Sequence, residues 1–390
     1  MTIGARSSRL SPVVDALPPS GIRRFFDLAS QMENVISLGV GEPDFVTPWH
    51  IREASLYALE RGVTTYTSNR GLPELCEAIT AYLENFELHY DPAQEVLVTV
   101  GGSEAIDLAL RALIHPGDEV LIPGPTYVSY RPCALLAGAT VVDVPTYPED
   151  NFRLTAATLE GCVTSASKVL VLCYPNNPTG AIMTSDDLAA IAEVAIAHDL
   201  FVISDEIYAE LTYGSQHASI AALPGMKERT IVVSGLSKAF AMTGWRIGYA
   251  VGPEDVIGAM LKVHQYTSLC APSMGQMAAL EALTHGKEEK DRMVASYDQR
   301  RRLIVDGFNQ MGLTCHSPQG AFYAFPDIRN TGMSSQEFCE ALLRETQVAV
   351  VPGDVFGATG EGFIRCSYAT SIQQIEIALL RIARFVDRLW

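Results

Sequence analysis

Seven short apolar runs between residues 95 and 252 constrain the fold of this chain more than any other feature. Amphipathic, helix-like segments such as 103–114 and 185–199 separate several of these runs. Continuous apolar strands with intervening helices are typical of a parallel sheet that is covered on both faces. We therefore predict an α/β fold with a mainly parallel sheet, whose strands are 95–100, 119–123, 140–144, 168–173, 200–205, 230–235 and 247–252.

The pattern changes after residue 285. A long, charged helical segment over 287–312 is followed by the short apolar stretches GAFYAFPDI, VAVVPG and FIRCSYAT and by a closing helix. This alternation is typical of a smaller α+β unit. We predict a large α/β domain over 47–284, and a small domain formed by 1–46 together with 285–390.

The composition indicates a compact globular protein. Hydrophobic residues make up 48% of the 390 residues and charged residues 19%, while the net charge of −17 argues against nucleic acid or an acidic membrane surface as a partner. The N-terminal stretch lacks the apolar core of a signal peptide, and no window reaches the roughly 18 apolar residues of a membrane span. The eight cysteines show no metal-ligand spacing, so we expect no metal site and a cytoplasmic location.

One lysine stands apart from the other five. Lys227, Lys287 and Lys290 lie in charged stretches, whereas Lys238 lies among small and apolar residues in SGLSKAFAMTGWRIG, residues 234–248. Such neighbours solvate an amine poorly and favour its neutral form, which can attack a carbonyl to form a Schiff base. The alternative is an apolar stem whose amine reaches solvent.

Polar motifs follow several of the predicted strands. In an open parallel sheet, ligands bind beyond the carboxyl ends of the strands. Gly101, Gly102 and Ser103 follow the first strand and open a helix, which is the arrangement of a phosphate site. The loop YPNNPTG, with Asn177, follows the strand at 168–173. Taken alone, a Gly-Gly turn and an Asn-Pro loop are more often only turns.

The next two strand ends complete the pattern. Asp205 ends the strand at 200–205, with Tyr208 three residues later, and Arg246 follows Lys238 by eight residues. A lone acidic residue there is more often a helix cap. Together, however, a Schiff-base lysine, a carboxylate, an amide, a phenol and an arginine are the groups that pyridoxal 5'-phosphate needs, because its ring withdraws electrons best with a protonated nitrogen.

The motifs NNPTG (176–180), SDEIY (204–208) and SKAFAMTGWRIGYA (237–250), in this order, resemble those of the fold-type I pyridoxal-phosphate enzymes, and specifically of the class I/II aminotransferases. The similarity extends from LGVGEPDF (38–45) to FIRCSYATS (363–371). Prokaryotic aspartate, aromatic and N-acetyl-diaminopimelate aminotransferases are the most similar groups.

The resemblance implies a role for each matching residue. Lys238 would bind the cofactor covalently and act with Asp205 and Tyr208 in catalysis, Asp205 would pair with the ring nitrogen, and Tyr208 with Asn177 would contact the ring hydroxyl oxygen. The remaining cofactor contacts that it implies are Gly102, Ser103, Glu104, Tyr127, Ser237, Arg246 and, from a neighbouring subunit, Tyr66. The substrate contacts that it implies are Gly41, Tyr127, Asn177 and Arg365, with Arg365 on the α-carboxylate.

The same resemblance implies a ping-pong transamination in a homodimer with shared sites. The amino group would pass from an acidic or aromatic L-amino acid to a 2-oxo acid such as 2-oxoglutarate, with Lys238 moving the proton. An alternative on the same fold is a β-lyase. A second is a non-catalytic cofactor-sensing module, but the basic DNA-binding domain of such regulators has no room before residue 30.

Selectivity for the substrate side chain stays open at the sequence level. Arg23, Arg24 or Arg70 would suit an acidic side chain, although such arginines more often face solvent. Tyr127 stands where some aspartate enzymes have tryptophan.

Overall fold

The computed structural model describes residues 9–19, 21, 32 and 34–389. Its strands are β1 (Ile36–Ser37), β2 (Val96–Val100), β3 (Glu119–Gly124), β4 (Thr140–Pro145), β5 (Ser167–Cys173), β6 (Phe201–Asp205), β7 (Thr230–Gly235), β8 (Ile247–Val251), β9 (Tyr323–Ala324), β10 (Val348–Ala349), β11 (Val351–Pro352) and β12 (Ile364–Ser367).

The helices with described bounds alternate with these strands. They are α1 (Pro12–Ala16), α2 (Trp49–Glu60), α3 (Pro73–Leu83), α4 (Gly101–Leu113), α5 (Tyr130–Leu136), α6 (Ala156–Glu160), α7 (Ser185–Ala197), α8 (Glu254–Thr267), α9 (Ser273–His285), α10 (Lys287–Gln310), α11 (Ser335–Thr346) and α12 (Ile372–Val386). No described helix is both long enough and apolar enough to cross a membrane.

The seven predicted strands form one sheet in the order β2-β8-β7-β6-β5-β3-β4. Strands β3 to β7 pair in parallel, whereas β8 runs antiparallel to both β2 and β7. The register sets Cys173 of β5 beside Asp205 of β6, and Asp205 beside Val233 of β7. The α/β fold with a mainly parallel sheet, as predicted, is confirmed, and the carboxyl ends of its central strands lie level with one another.

Apolar side chains cover both faces of this sheet, because successive residues of a strand point to opposite sides. Val169 and Val171 of β5 pack in one cluster with helices α4 and α8, whereas Leu170 and Leu172 pack in another with α7. Helix α7 begins at Ser185, but the capping side chain is that of Thr184, which forms a capping box with Asp187. The two buried faces explain why the inner strands are mostly apolar, whereas the edge strand β4 exposes Thr140 and Asp143.

The C-terminal part builds its own small sheets. Strands β11, β12 and β9 are antiparallel neighbours in that order, and β1 pairs in parallel with β10, with Ile36 opposite Val348. The pairing of β1 with β10 joins the N-terminal segment to the C-terminal part. The predicted division into a large domain of 47–284 and a small domain of 1–46 with 285–390 stays a prediction.

Candidate active site

A cavity of about 960 Å³ opens at the carboxyl ends of the central strands. It brings together residues that are far apart in the chain, because the sheet aligns the ends of β5, β6 and β7 and the start of α4. The sequence-predicted residues that line it are Gly41, Gly102, Ser103, Tyr127, Asn177, Asp205, Tyr208, Ser237, Lys238, Arg246 and Arg365.

Asp205 is the last residue of β6 and is only 6% exposed. Its Oδ2 accepts a hydrogen bond from the Tyr130 hydroxyl at 2.7 Å, and its Oδ1 accepts one from the Ile207 N–H at 3.2 Å. Burial raises the pKa of the Asp205 carboxyl to about 6, although both hydrogen bonds act against this shift. A buried carboxylate of this kind is stabilised by a cation that is bound beside it.

Lys238 follows β7 and extends into the same cavity. Its Nζ donates a hydrogen bond to the Gly41 carbonyl oxygen at 2.6 Å and lies 5.6 Å from the centre of the Phe322 ring. Burial lowers the pKa of Lys238 to about 8; the charge of Glu42 opposes this shift, and that of Arg365 adds to it. The amine is therefore neutral over a pH range in which an ordinary lysine is protonated.

The turn from β2 into α4 has the geometry of an anion site. Gly101 has a left-handed φ of +74°, and a Cβ at this position would lie 2.4 Å from Nη2 of Arg246. A Cβ on Gly248 would lie 2.4 Å from the backbone nitrogen of Gly102. The first N–H groups of a helix have no acceptor within it, so the start of α4 and the Arg246 guanidinium together suit a phosphate.

Arg365 is buried at 3% exposure on β12 and lines the same cavity. Its guanidinium donates to Asn177 Oδ1 at 2.9 Å and to the Gly39 carbonyl oxygen at 2.6 Å, and it stacks over the Tyr323 ring at 4.5 Å. Its Nε is buried and has no hydrogen-bond partner in the described part of the chain. Because its hydrogen-bond partners are neutral oxygen atoms, this buried cation suits an anionic ligand.

Sequence reasoning missed several lining residues, and three of them lie next to predicted site residues. Tyr130 holds Asp205, Tyr323 shares a hydrogen bond of 2.8 Å with the Tyr208 hydroxyl, and Glu42 lies beside Lys238. Tyr130 is the first residue of α5 and is almost fully buried, so in the motif GPTYVSY it reads as a core aromatic residue. Tyr323 reads as a core aromatic residue in GAFYAFPDI.

Some predicted residues lie elsewhere. Glu104 does not line the cavity, because its carboxylate bonds to the Val100 N–H and to His264, which corrects the expectation of a cofactor contact. Tyr66 is 79% exposed and lies away from the cavity of its own subunit. The Arg70 guanidinium donates to backbone carbonyl oxygens at 2.8 and 2.9 Å along the edge of β2, so it does not face the cavity. Arg23 and Arg24 lie outside the described residues.

The geometry agrees with comparisons to known proteins. The family model for aminotransferase class I and II matches residues 33–382. The chain is 56% identical to the protein YugH of Bacillus subtilis (strain 168), over 98% of this chain and 99% of that protein. It is 47% identical to an aspartate aminotransferase of Pyrococcus abyssi, over 96% of this chain and 97% of that enzyme. The crystal structure of an aromatic aminotransferase from Pyrococcus horikoshii OT3 superposes with a TM-score of 0.90 at 45% identity, over 93% of this chain and 99% of that one.

The fold and the cavity define a fold-type I enzyme of amino-group transfer. The chain belongs to the class I and II aminotransferases, whose members depend on pyridoxal 5'-phosphate. The residues present fit this cofactor. Asp205 offers a buried carboxylate to a cationic ring nitrogen, and the Gly101–Gly102 turn, from which a Cβ is excluded at Gly101, fits a phosphate.

The depressed pKa of Lys238 gives a direct test. In the apoenzyme, trace acetylation of Lys238 with acetic anhydride should rise as the pH passes through about 8, because only the neutral amine reacts. Lys287 is the matched reference, since its side chain is 82% exposed and a hydrogen bond to Asp291 raises its pKa. Mass spectrometry of the acetylated peptides measures both. Parallel titration of the two lysines would contradict the buried, neutral amine.

Proposed function

We propose that this aminotransferase moves the amino group of an acidic or aromatic L-amino acid to 2-oxoglutarate by a ping-pong reaction. The observation that carries the proposal is the buried guanidinium of Arg365 in the same cavity as Lys238. An arginine guanidinium binds a carboxylate through two parallel hydrogen bonds, so it orients the α-carboxylate that amino acids and 2-oxo acids share. Similarity to aspartate and aromatic aminotransferases supports the choice of side chain.

The cofactor would be held by groups from four segments. Asp205 would pair with the ring nitrogen, and the phosphate would lie on the amides of Gly102 and Ser103, beside Ser237 and Arg246. Asn177 uses its Oδ1 to accept from Arg365, which leaves its Nδ2 free to donate to the ring hydroxyl oxygen, together with the Tyr208 hydroxyl. When bound, pyridoxal 5'-phosphate supplies an electron sink for the negative charge that develops at the substrate Cα.

Tyr127 would flank the cofactor ring and the substrate. Its ring packs edge-on against the ring of Tyr130, with centroids 5.6 Å apart, and it lines the cavity. Gly41 would contact the substrate through its backbone, beside the Lys238 amine. Tyr323 adds a further aromatic wall, because its ring lies under the Arg365 guanidinium. These rings would form an aromatic wall beside the cofactor ring and the substrate.

Lys238 would move the proton. With a pKa lowered to about 8, its Nζ is a base matched to near-neutral pH, and it can remove the proton from the substrate Cα and later return it. The hydrogen bond to the Gly41 carbonyl oxygen holds the free amine inside the cavity. Asp205 would stay ionised beside the ring nitrogen throughout, because the cation there offsets the effect of its burial.

We further propose a homodimer that works in the cytoplasm. The exposed Tyr66 ring would reach the phosphate in the cavity of a second copy, which explains why it does not line its own. The face of α2 carries Trp49, Leu56 and Tyr57 at 57%, 50% and 58% exposure, which suits contact with another subunit. The eight cysteines are all free, as in a reducing compartment.

The reaction class is tested with a panel of amino donors and 2-oxoglutarate as acceptor. We expect glutamate to form with aspartate or with aromatic donors, because one Arg365 fork binds each α-carboxylate in turn. Lys238→Ala is the matched control, and it should lose turnover and the visible absorbance of the cofactor that is covalently linked to the lysine. Release of pyruvate and ammonia without glutamate would show a β-lyase instead, and normal turnover by Lys238→Ala would refute the role of the lysine.

The shared site is tested with hybrid dimers. Tyr66→Ala should weaken cofactor binding roughly tenfold, since one hydrogen bond to a charged group is lost. A hybrid of a Tyr66→Ala subunit with a Lys238→Ala subunit contains one native site, because Lys238 comes from the first subunit and Tyr66 from the second. We expect that hybrid to regain native affinity and turnover at half of its sites. Hybrids that behave like the Tyr66→Ala parent would contradict the shared site.

A further inference from the structure

Glu104 lies on the first turn of α4, next to the amides that face the cavity, yet its own side chain points elsewhere. The carboxylate lies between α4 and the end of α8, and its side chain is 13% exposed. Burial acts to raise its pKa, but hydrogen bonds from His264, Ser268 and the Val100 N–H outweigh this and leave the pKa of Glu104 below its usual value. The carboxylate is therefore ionised, and both of its oxygen atoms are hydrogen-bonded to groups of the protein.

One oxygen of this carboxylate fixes the turn that leads into α4. Oε2 accepts the N–H of Val100, the last residue of β2, at 2.5 Å. The next residue, Gly101, has a left-handed φ of +74° and redirects the chain from strand to helix. Because the two ends of this bond bracket Gly101 to Ser103, Glu104 holds the turn closed around the residues whose amides open to the cavity.

The other oxygen ties the turn to a second helix. Oε1 bonds to His264 Nδ1 at 2.9 Å and accepts from the Ser268 hydroxyl at 2.6 Å. His264 is fully buried, and its Nε2 has no hydrogen-bond partner in the described part of the chain. A carboxylate only accepts hydrogen bonds, so Nδ1 donates. Glu104 is thus the polar anchor of this buried imidazole.

The turn leaves no room for displacement on its opposite side. A Cβ at Gly248 would lie 2.4 Å from the carbonyl carbon of Gly101, and the Arg246 guanidinium lies directly against Gly101. The backbone of the turn is therefore held between β8 and Arg246 on one side and Glu104 on the other. Loss of the carboxylate removes the hydrogen bond to the Val100 N–H. The backbone amides of the turn can then move relative to the Arg246 guanidinium.

We propose that Glu104 is a positioning residue for the phosphate of pyridoxal 5'-phosphate, acting through the Val100 N–H and the Gly101–Ser103 turn without contacting the cofactor. The inference rests on the proposed placement of the phosphate at the start of α4. It assigns His264 and Ser268 as the supports that keep the carboxylate in place. The contribution of Glu104 is therefore specific for the phosphate and independent of the pyridine ring.

The test compares dissociation constants of the apoenzyme for pyridoxal 5'-phosphate and for pyridoxal, which lacks the phosphate. Glu104→Ala should lose roughly tenfold or more in affinity for the phosphorylated form, the scale of one hydrogen bond to a charged group, and little for pyridoxal. Glu104→Gln keeps an acceptor for the Val100 N–H and should stay within about threefold of the native affinity. Asp107→Asn, which breaks an exposed pair with Arg111 on the same helix, is the control and should change neither constant.

A second variant keeps the proposal testable if Glu104→Ala does not fold. Glu104→Asp keeps the charge but shortens the reach to Val100, and it should show the same selective loss. Equal losses for pyridoxal 5'-phosphate and pyridoxal, or no loss in either variant, would overturn the positioning role. If the native chain itself does not prefer the phosphorylated form, the proposed phosphate site fails instead, and the two failures are thereby distinguished.

Discussion

The burial of the Asp205 carboxylate at the end of the middle strand of the sheet is the constraint around which the site is arranged. Strand β6 has three strands on either side, and Asp205 lies level with the ends of β5 and β7. The described chain gives it a phenol and one amide but no direct ion pair, and its pKa rises to about 6. The protein thus builds a buried anion whose charge a protonated pyridine nitrogen would neutralise.

Lys238 lies in the same cavity, and its pKa is lowered, whereas that of Asp205 is raised. Burial together with the charges of Arg365 and Arg246 lowers its pKa to about 8, although Glu42 and Asp205 act against the shift. An acid with a raised pKa and a base with a lowered one therefore share one enclosed space, an arrangement that is typical of acid–base catalysis near neutral pH. The two arginines that depress the lysine also offer the two anion sites, one for a phosphate and one for a carboxylate.

Much of this could be predicted from the sequence. Every strand of the large sheet was placed to within one residue, because each contains an apolar run, and all of them except the edge strand β4 are largely buried on both faces. The antiparallel direction of β8 could not be predicted, since a short apolar run reads alike in either direction. Tyr130 and Tyr323 resemble core residues until their hydroxyl partners are seen. The hydrogen bond from Arg365 to Asn177 joins residues that are 188 positions apart. The local sequence pattern around either residue therefore does not indicate it.

The central claim is that Asp205 keeps a cationic ring nitrogen beside it while Lys238 holds the other side of the same ring. Nitrogen-15 NMR of the holoenzyme, loaded with cofactor labelled at the ring nitrogen and reduced with borohydride onto the protein, measures this protonation directly. We expect a protonated nitrogen at pH 8 in the native enzyme, an unprotonated one in Asp205→Ala, and a reduced linkage at Lys238. An unprotonated nitrogen in the native enzyme, or the same signal in both proteins, would contradict it.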